Sequence, residues 1–376
     1  MPVCNLLYSK HMSRNIAWSA SLVVWLMVNG CGRLGYDVIA NAVGDSSVPD
    51  GSATFDTSPI ADGSIIDIEG SDYVVAPGFT IEAVLPPAQT EPQLANQGTA
   101  LDFPVAGSGF AQAGYVGADV TAGNPATIYR VDEAAVQLVE IATAPVNAKH
   151  ITQLSFAPAG GDYGDFLYVC VTSTAIAGDG IYRLAPGSDT LASWRLYDSC
   201  NGMAFDYENQ LGDPGTSPTL YASRKTSDVQ RMPPLATDPV ETLQTLQISH
   251  GLLLYVPQEQ AFRGRMTFVA WNLQPSSREF FIWHSTSIDP WSTPVTFLPD
   301  VPSPRDVVFS EGPPFGDVML VAMLATGEIV AYQDDGSSYV LVQGLDQPQA
   351  LGWAEPYDEL WVLERGRGRI LRIRAQ

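Results

Sequence analysis

The chain has 376 residues, 45% of them hydrophobic and only 16% charged, which excludes a disordered chain and allows one large repeating domain. Its formal charge is −22; so acidic a surface repels polyanions, excluding nucleic acid as a partner and adsorption to anionic lipid by charge alone. Abundant Gly and Pro with 10% aromatic residues favour many short strands, and no long stretch repeats apolar residues at helical spacing.

Residues 16–28 form an apolar run preceded by Lys10 and Arg14 and followed by Asn29, Gly30 and Cys31. A basic start, a short apolar run and small residues before a cut describe a secretory signal. The run is shorter than the ~20 residues of a transmembrane helix. Val28-Asn-Gly-Cys31 resembles the bacterial lipobox, with Val in place of the usual leucine. That resemblance implies a diacylated Cys31 as the mature N-terminus and a membrane held by lipid, with the outer membrane or cell surface favoured. Whether translation starts at Met1 or Met12 stays open. Removing residues 1–30 takes away Lys10 and Arg14 and no acid, leaving 17 basic against 41 acidic residues, a net of −24.

No Lys or Arg occurs from Leu34 to Tyr129, and residues 32–72 are dominated by Gly, Ser, Asp and Pro. This composition predicts a solvated, flexible spacer. Its acids, Asp45, Asp50, Asp56, Asp62 and Asp67, do not have the spacing of an EF-hand loop. The expected organisation is a signal over 1–30, a lipidated cysteine with its tether over 31–75, and a folded domain over 76–376.

That domain repeats. A polar residue, three small or aliphatic residues and a large apolar anchor recur in six places. They are Thr99 to Phe103, Thr152 to Phe156, Asn201 to Phe205, His250 to Leu254, Arg305 to Phe309 and Gln349 to Trp353. The anchors are 53, 49, 49, 55 and 44 residues apart, the length of a four-stranded propeller blade. Second strands such as Phe166-Leu-Tyr-Val-Cys-Val and third strands such as Gly180-Ile-Tyr-Arg-Leu follow the anchors. The sixth unit has room for three strands only, and Gly78-Phe-Thr-Ile-Glu-Ala-Val-Leu85 supplies the fourth, closing the ring and removing an open edge. The fold class is therefore all-β, a six-bladed β-propeller of four-stranded blades whose last blade is closed by an N-terminal strand.

Pro77-Gly-Phe-Thr-Ile81, Asn201-Gly-Met-Ala-Phe-Asp and Gly180-Ile-Tyr-Arg resemble the clan of six-bladed propellers that includes NHL-repeat, gluconolactonase-like and soluble quinoprotein glucose/sorbosone dehydrogenase families. The resemblance covers about 76–376 and is specific for architecture.

The residues opening the innermost strands, Thr99, Thr152, Asn201, His250, Arg305 and Gln349, are expected to ring one mouth of the channel. All six are polar, as a wet mouth or a ligand site requires. The ring has no carboxylate, and Asp306 beside Arg305 is expected to point sideways into its blade, so no metal is assigned. His150, two positions before the ring, is close enough to reach the mouth. Arg365, Arg367, Arg369, Arg372 and Arg374 are expected to face solvent or nearby carboxylates, with a small anion as the alternative. Cys170 and Cys200 are expected to pair as a disulfide joining blades 2 and 3 in an oxidising compartment.

No nucleophile–base motif is present, so the leading expectation is a non-catalytic binding or scaffold module without a cofactor, taking a protein, glycan or small ligand at the mouth. The alternative that the resemblance implies is a lactonase-like or quinoprotein sugar dehydrogenase-like enzyme. It would use His250 and Arg305, the latter chemistry with pyrroloquinoline quinone and calcium.

Overall fold

The computed structural model describes residues 60 and 63–376, except 121–124, 146–147, 174–178, 198–199, 209, 212–217, 225–227, 246–249, 260, 275–276, 286–294, 300 and 355–357. It describes only the backbone at 244–245, 250–252, 254, 271–274, 277–281, 283–285 and 295. The signal, Cys31 and most of the spacer lie outside the described residues.

The described residues form six antiparallel sheets, four of them consecutive runs of strands and two joined by strands from upstream. Blades 1 to 5 span 98–143, 148–196, 200–245, 250–298 and 304–343; blade 6 takes three strands from 348–375. The innermost strands are Gly98–Asp102, Ala148–Phe156, Cys200–Asp206, His250–Tyr255, Pro304–Ser310 and Pro348–Ala354. The fourth strand of blade 6 is Phe79–Ala83, which pairs antiparallel with Arg369–Ala375. This N-terminal closure removes the edge that three strands would leave open.

Period-two alternation explains how one strand serves two blade contacts. In blade 5, Val318, Leu320 and Ala322 join the apolar cluster shared with blade 6. Met319, Val321 and Met323 join the cluster shared with blade 4. Every residue of this strand is buried, as expected where both faces of a sheet are covered. Six apolar clusters occupy the six seams between neighbouring blades. Close approach is built into the inner strands: a Cβ at Gly117 of blade 1 would lie 2.7 Å from the Ile151 side chain of blade 2. The outermost strands are more exposed, as in Gln137–Thr143.

Two features depart from the sequence reading. Residues 64–75, assigned there to the spacer, form strands Ser64–Asp67 and Asp72–Val75 that extend blade 5 to six strands. Tyr73 and Val75 are fully buried, so their burial outweighs the polar composition around them. The boundary of the folded domain therefore moves upstream of residue 76. The second departure is a short helix, Pro87–Leu94, linking blade 6 to blade 1 with proline in its first turn. Among the described residues no helix is long and apolar enough to cross a membrane.

The N-terminal strands are fastened to blade 6 by charged groups. The Tyr73 hydroxyl donates to Glu364 Oε2 at 2.9 Å, and Glu364 Oε1 accepts from the Asp346 N–H at 2.7 Å and from Arg367. Arg369 donates to Ile68 O, Ser71 Oγ and Glu91. Arg372 and Arg374 pair with Glu82. The C-terminal arginines thus meet carboxylates, as the first of the two sequence expectations has it.

Candidate functional site

At the mouth, each innermost strand contains a β-bulge. The paired registers skip Thr99, Thr152, Asn201, Gly251, Arg305 and Gln349 in blades 1 to 6. A bulge inserts one extra residue and re-aims its side chain. Five of the six expected ring residues are therefore the bulged residues themselves. Blade 4 differs by one position: the bulge falls on Gly251, while His250 pairs with Trp271, as Cys200 pairs with Arg224 in blade 3. The equivalent anchor is then Tyr255, and the sixth ring position has no side chain. A one-residue slip is invisible in a repeat whose blade 4 reads Leu-Leu-Leu-Tyr, because any of these residues can pass for the anchor. The His250 side chain lies outside the described ones.

The ring is sunk in the channel: Thr99 is 9% exposed, Asn201 6%, Arg305 5% and Gln349 8%. Its members are satisfied unequally. The Thr99 hydroxyl donates to Gly117 O at 3.2 Å, and the Thr152 hydroxyl reaches Cys170 O and Cys200 O at 3.3 and 3.4 Å. Each threonine thus serves the second-strand residue that follows its bulge. In contrast, Asn201 Nδ2 and Gln349 Oε1 are buried with no hydrogen-bond partner. Blades 3 and 6 stand opposite each other in a ring of six. Cys170 and Cys200 form a disulfide with Cα atoms 5.6 Å apart, and Cys200 directly precedes Asn201.

Below the bulges, polar side chains stitch the inner strands together. Gln153 and Asp306, each directly after a bulge, accept the N–H of the residue two past the next blade's bulge. These bonds are Met203 N to Gln153 Oε1 and Leu351 N to Asp306 Oδ2, both 2.7 Å. Asp306 Oδ1 also accepts from Val307 N and the Tyr255 hydroxyl. Asp306 therefore reaches across to blades 4 and 6, and does not point sideways into its own blade, because the free inner edge offers it N–H donors. Asp102 accepts from Phe103 N at 2.8 Å and from Phe156 N of blade 2 at 3.2 Å. Both aspartates are half-buried, with protein packed round their carboxylates. Burial pushes Asp102 up to about 7 and Asp306 up to about 6, and the charge of Asp306 adds to the rise at Asp102.

A second group converges on the rim above blades 6, 1 and 2. Asp119 follows the second strand of blade 1, Arg365 holds the same position in blade 6, and His150 opens blade 2. His150 Nδ1 lies 2.9 Å from Asp119 Oδ2, and Arg365 Nη2 lies 4.0 Å from the same oxygen. Arg365 Nη2 also donates to Asn96 O at 2.9 Å. The Asp119 side chain is 7% exposed, and its Oδ1 is buried without a partner. Sequence reasoning noted His150 and Arg365 separately and missed Asp119; no local motif links three residues from three blades.

Among the described residues no three His, Cys, Asp or Glu side chains come together to ligate an ion. The bulge that falls on Arg305 in blade 5 falls on Gly251 in blade 4.

No family model matches the chain, and no curated protein matches it. Among solved structures it is similar to an auxiliary nutrient binding protein from Bacteroides thetaiotaomicron, at 12% identity and a TM-score of 0.58, covering 79% of this chain and 76% of that one. It is similar also to an auxiliary nutrient binding protein from Bacteroides ovatus, at 9% identity and a TM-score of 0.57, covering 84% and 89%. A calcium-binding protein, regucalcin, from Agrobacterium tumefaciens matches at 9% identity and a TM-score of 0.51, covering 79% and 94%. The fold is the six-bladed β-propeller. The expected propeller clan stands at the level of architecture, and identities this low speak to the fold alone.

Proposed function

We propose that the chain is an exported, lipid-anchored propeller that captures a small polar ligand at its channel mouth without transforming it. The observation that carries this reading is the pair of buried primary amides, Asn201 and Gln349, each with an atom that has no partner in the protein. An unpaired buried polar atom costs about 1–3 kcal/mol, and folded proteins retain few of them without a use. The terminal torsion of an amide is soft, so a modest rotation offers the same groups to a guest in the channel. An amide both donates and accepts, which suits a ligand rich in hydroxyl or amide groups. The two Bacteroides proteins of similar fold are nutrient binding proteins, which supports a binding role.

The anchor of this reading is the lipid on Cys31, which the Gly-, Ser- and Asp-rich residues that follow it join to the propeller. With a mature charge of −24, lipid and not electrostatics does the holding.

Two measurements test the reading. Labelled palmitate is expected in the wild-type chain and absent in Cys31→Ser; label retained in that variant defeats the anchor. Thermal-shift screening of the mature chain against sugars, amino acids, nucleosides and short peptides is expected to give hits that Asn201→Leu and Gln349→Leu weaken. Hits indifferent to both substitutions place binding elsewhere, and chemical turnover of a hit overturns the non-catalytic reading.

A further inference from the structure

We infer that the rim above blades 6, 1 and 2 selects ligands that carry a primary ammonium group, with Asp119 as its acceptor. The inference rests on the mouth-binding reading and names the ligand class. Asp119 Oδ2 is taken: His150 Nδ1 approaches it at 2.9 Å, and Arg365 stands 4.0 Å away with its Nη2 engaged by Asn96 O. Both basic side chains come to Oδ2, and Asp119 Oδ1 has no donor although the side chain is 7% exposed. In blade 6, neighbour to blade 1, Gln349 Oε1 is a second buried oxygen without a donor, on a residue 8% exposed.

Two unpartnered oxygens on adjacent blades, one on a carboxylate, ask for a group that brings several hydrogens and a positive charge. An ammonium has three donors and no acceptor, and a charge-assisted bond from it is about twice as strong as a neutral one. A hydroxyl brings one hydrogen, and a carboxylate ligand brings none. The chain's charge of −22 favours approach of a cation over an anion. On the opposite side of the channel, Asn201 Nδ2 is a buried donor without a partner. The complementary guest therefore has an ammonium at one end and a neutral oxygen acceptor at the other, as an amino alcohol or an amino sugar does.

Matched compounds test this on the full mature chain in detergent, by calorimetry and thermal shift. The probes are glucosamine, N-acetylglucosamine and glucose, with 5-aminopentanol against 1,5-pentanediol. Each free amine is expected to bind at least tenfold more tightly than its acetylated or hydroxyl counterpart. Asp119→Asn, which keeps the shape and an acceptor oxygen, is expected to erase that preference. Gln349→Leu serves as a second variant, narrowing the preference without touching the Asp119 pair. Asn201→Leu is expected to weaken both members of a pair alike. Equal binding of amine and alcohol, or a preference that survives Asp119→Asn, overturns the ammonium site and leaves the mouth reading standing. Failure of every probe to bind wild-type protein overturns the ammonium site, and the broader ligand screen then judges the mouth reading separately.

Discussion

Two seams of the propeller are reinforced in different ways. The seam between blades 2 and 3 carries the Cys170–Cys200 disulfide and the Thr152 hydroxyl beside both cysteine carbonyls. The seam between blades 5 and 6 carries no covalent link; it is closed by strands from the other end of the chain and fastened through Tyr73, Glu364, Arg367 and Arg369. The first seam joins blades that are consecutive in sequence, so a short loop brings its partners together. The second joins chain ends and recovers its large closure entropy from many weaker contacts at once.

The largest effect comes from removing the second kind of closure. A chain beginning at residue 86 lacks Phe79–Ala83 and leaves blade 6 with three strands and an open edge. It is expected to yield no cooperative unfolding transition, and a native-like urea melt from it contradicts the role given to the closing strand. Next is the disulfide, which spans 30 residues. Replacing both cysteines by alanine is expected to cost about 3–4 kcal/mol from loop entropy, read as a lower urea midpoint. A chain that also fails to fold shows the two seams to be equally necessary.

The carboxylates of the inner edge sharpen the comparison through pH. Asp102 stitches blades 1 and 2, and Asp306 links blade 5 to blades 4 and 6. Their folded values, about 7 and about 6, lie above the ordinary 3.8, so folding favours the protonated form. That contribution is complete below the unfolded value and is lost progressively as pH rises from there through the folded values. Stability is expected to fall from about pH 4 to about pH 7, and Asp102→Asn to remove most of the slope; an unchanged slope assigns it to other groups. The smallest effect is expected from Thr152→Val, which removes one hydroxyl at the covalent seam and costs about 1 kcal/mol. A loss as large as that of the disulfide makes the hydroxyl, not the bridge, the organising element there.

Much of the fold was legible because its information is local and repeated. The six anchors gave the blade length, and Gly78 to Leu85 was recognisable as the missing strand because the sixth unit was one strand short. The Cys170–Cys200 pairing followed from placing one cysteine late in a second strand and the other at the next blade's entry. The pairing of residues 64–75 was not legible, since Ser, Gly and Asp surround Tyr73 and Val75 and mask a strand that only blade 5 buries.

The site divides in the same way. Sequence alone determined that polar residues open the innermost strands, because the repeat sets their phase against the anchors. Only the tertiary structure decided that they sit on bulges and that Gly251 replaces His250 in blade 4, because register depends on the partner strand. Only the closed ring brought Asp119, His150 and Arg365 to one carboxylate oxygen, since they come from three blades and share no local pattern. Periodicity belongs to the chain, whereas convergence belongs to the ring, and the selectivity assigned to the mouth is a matter of convergence.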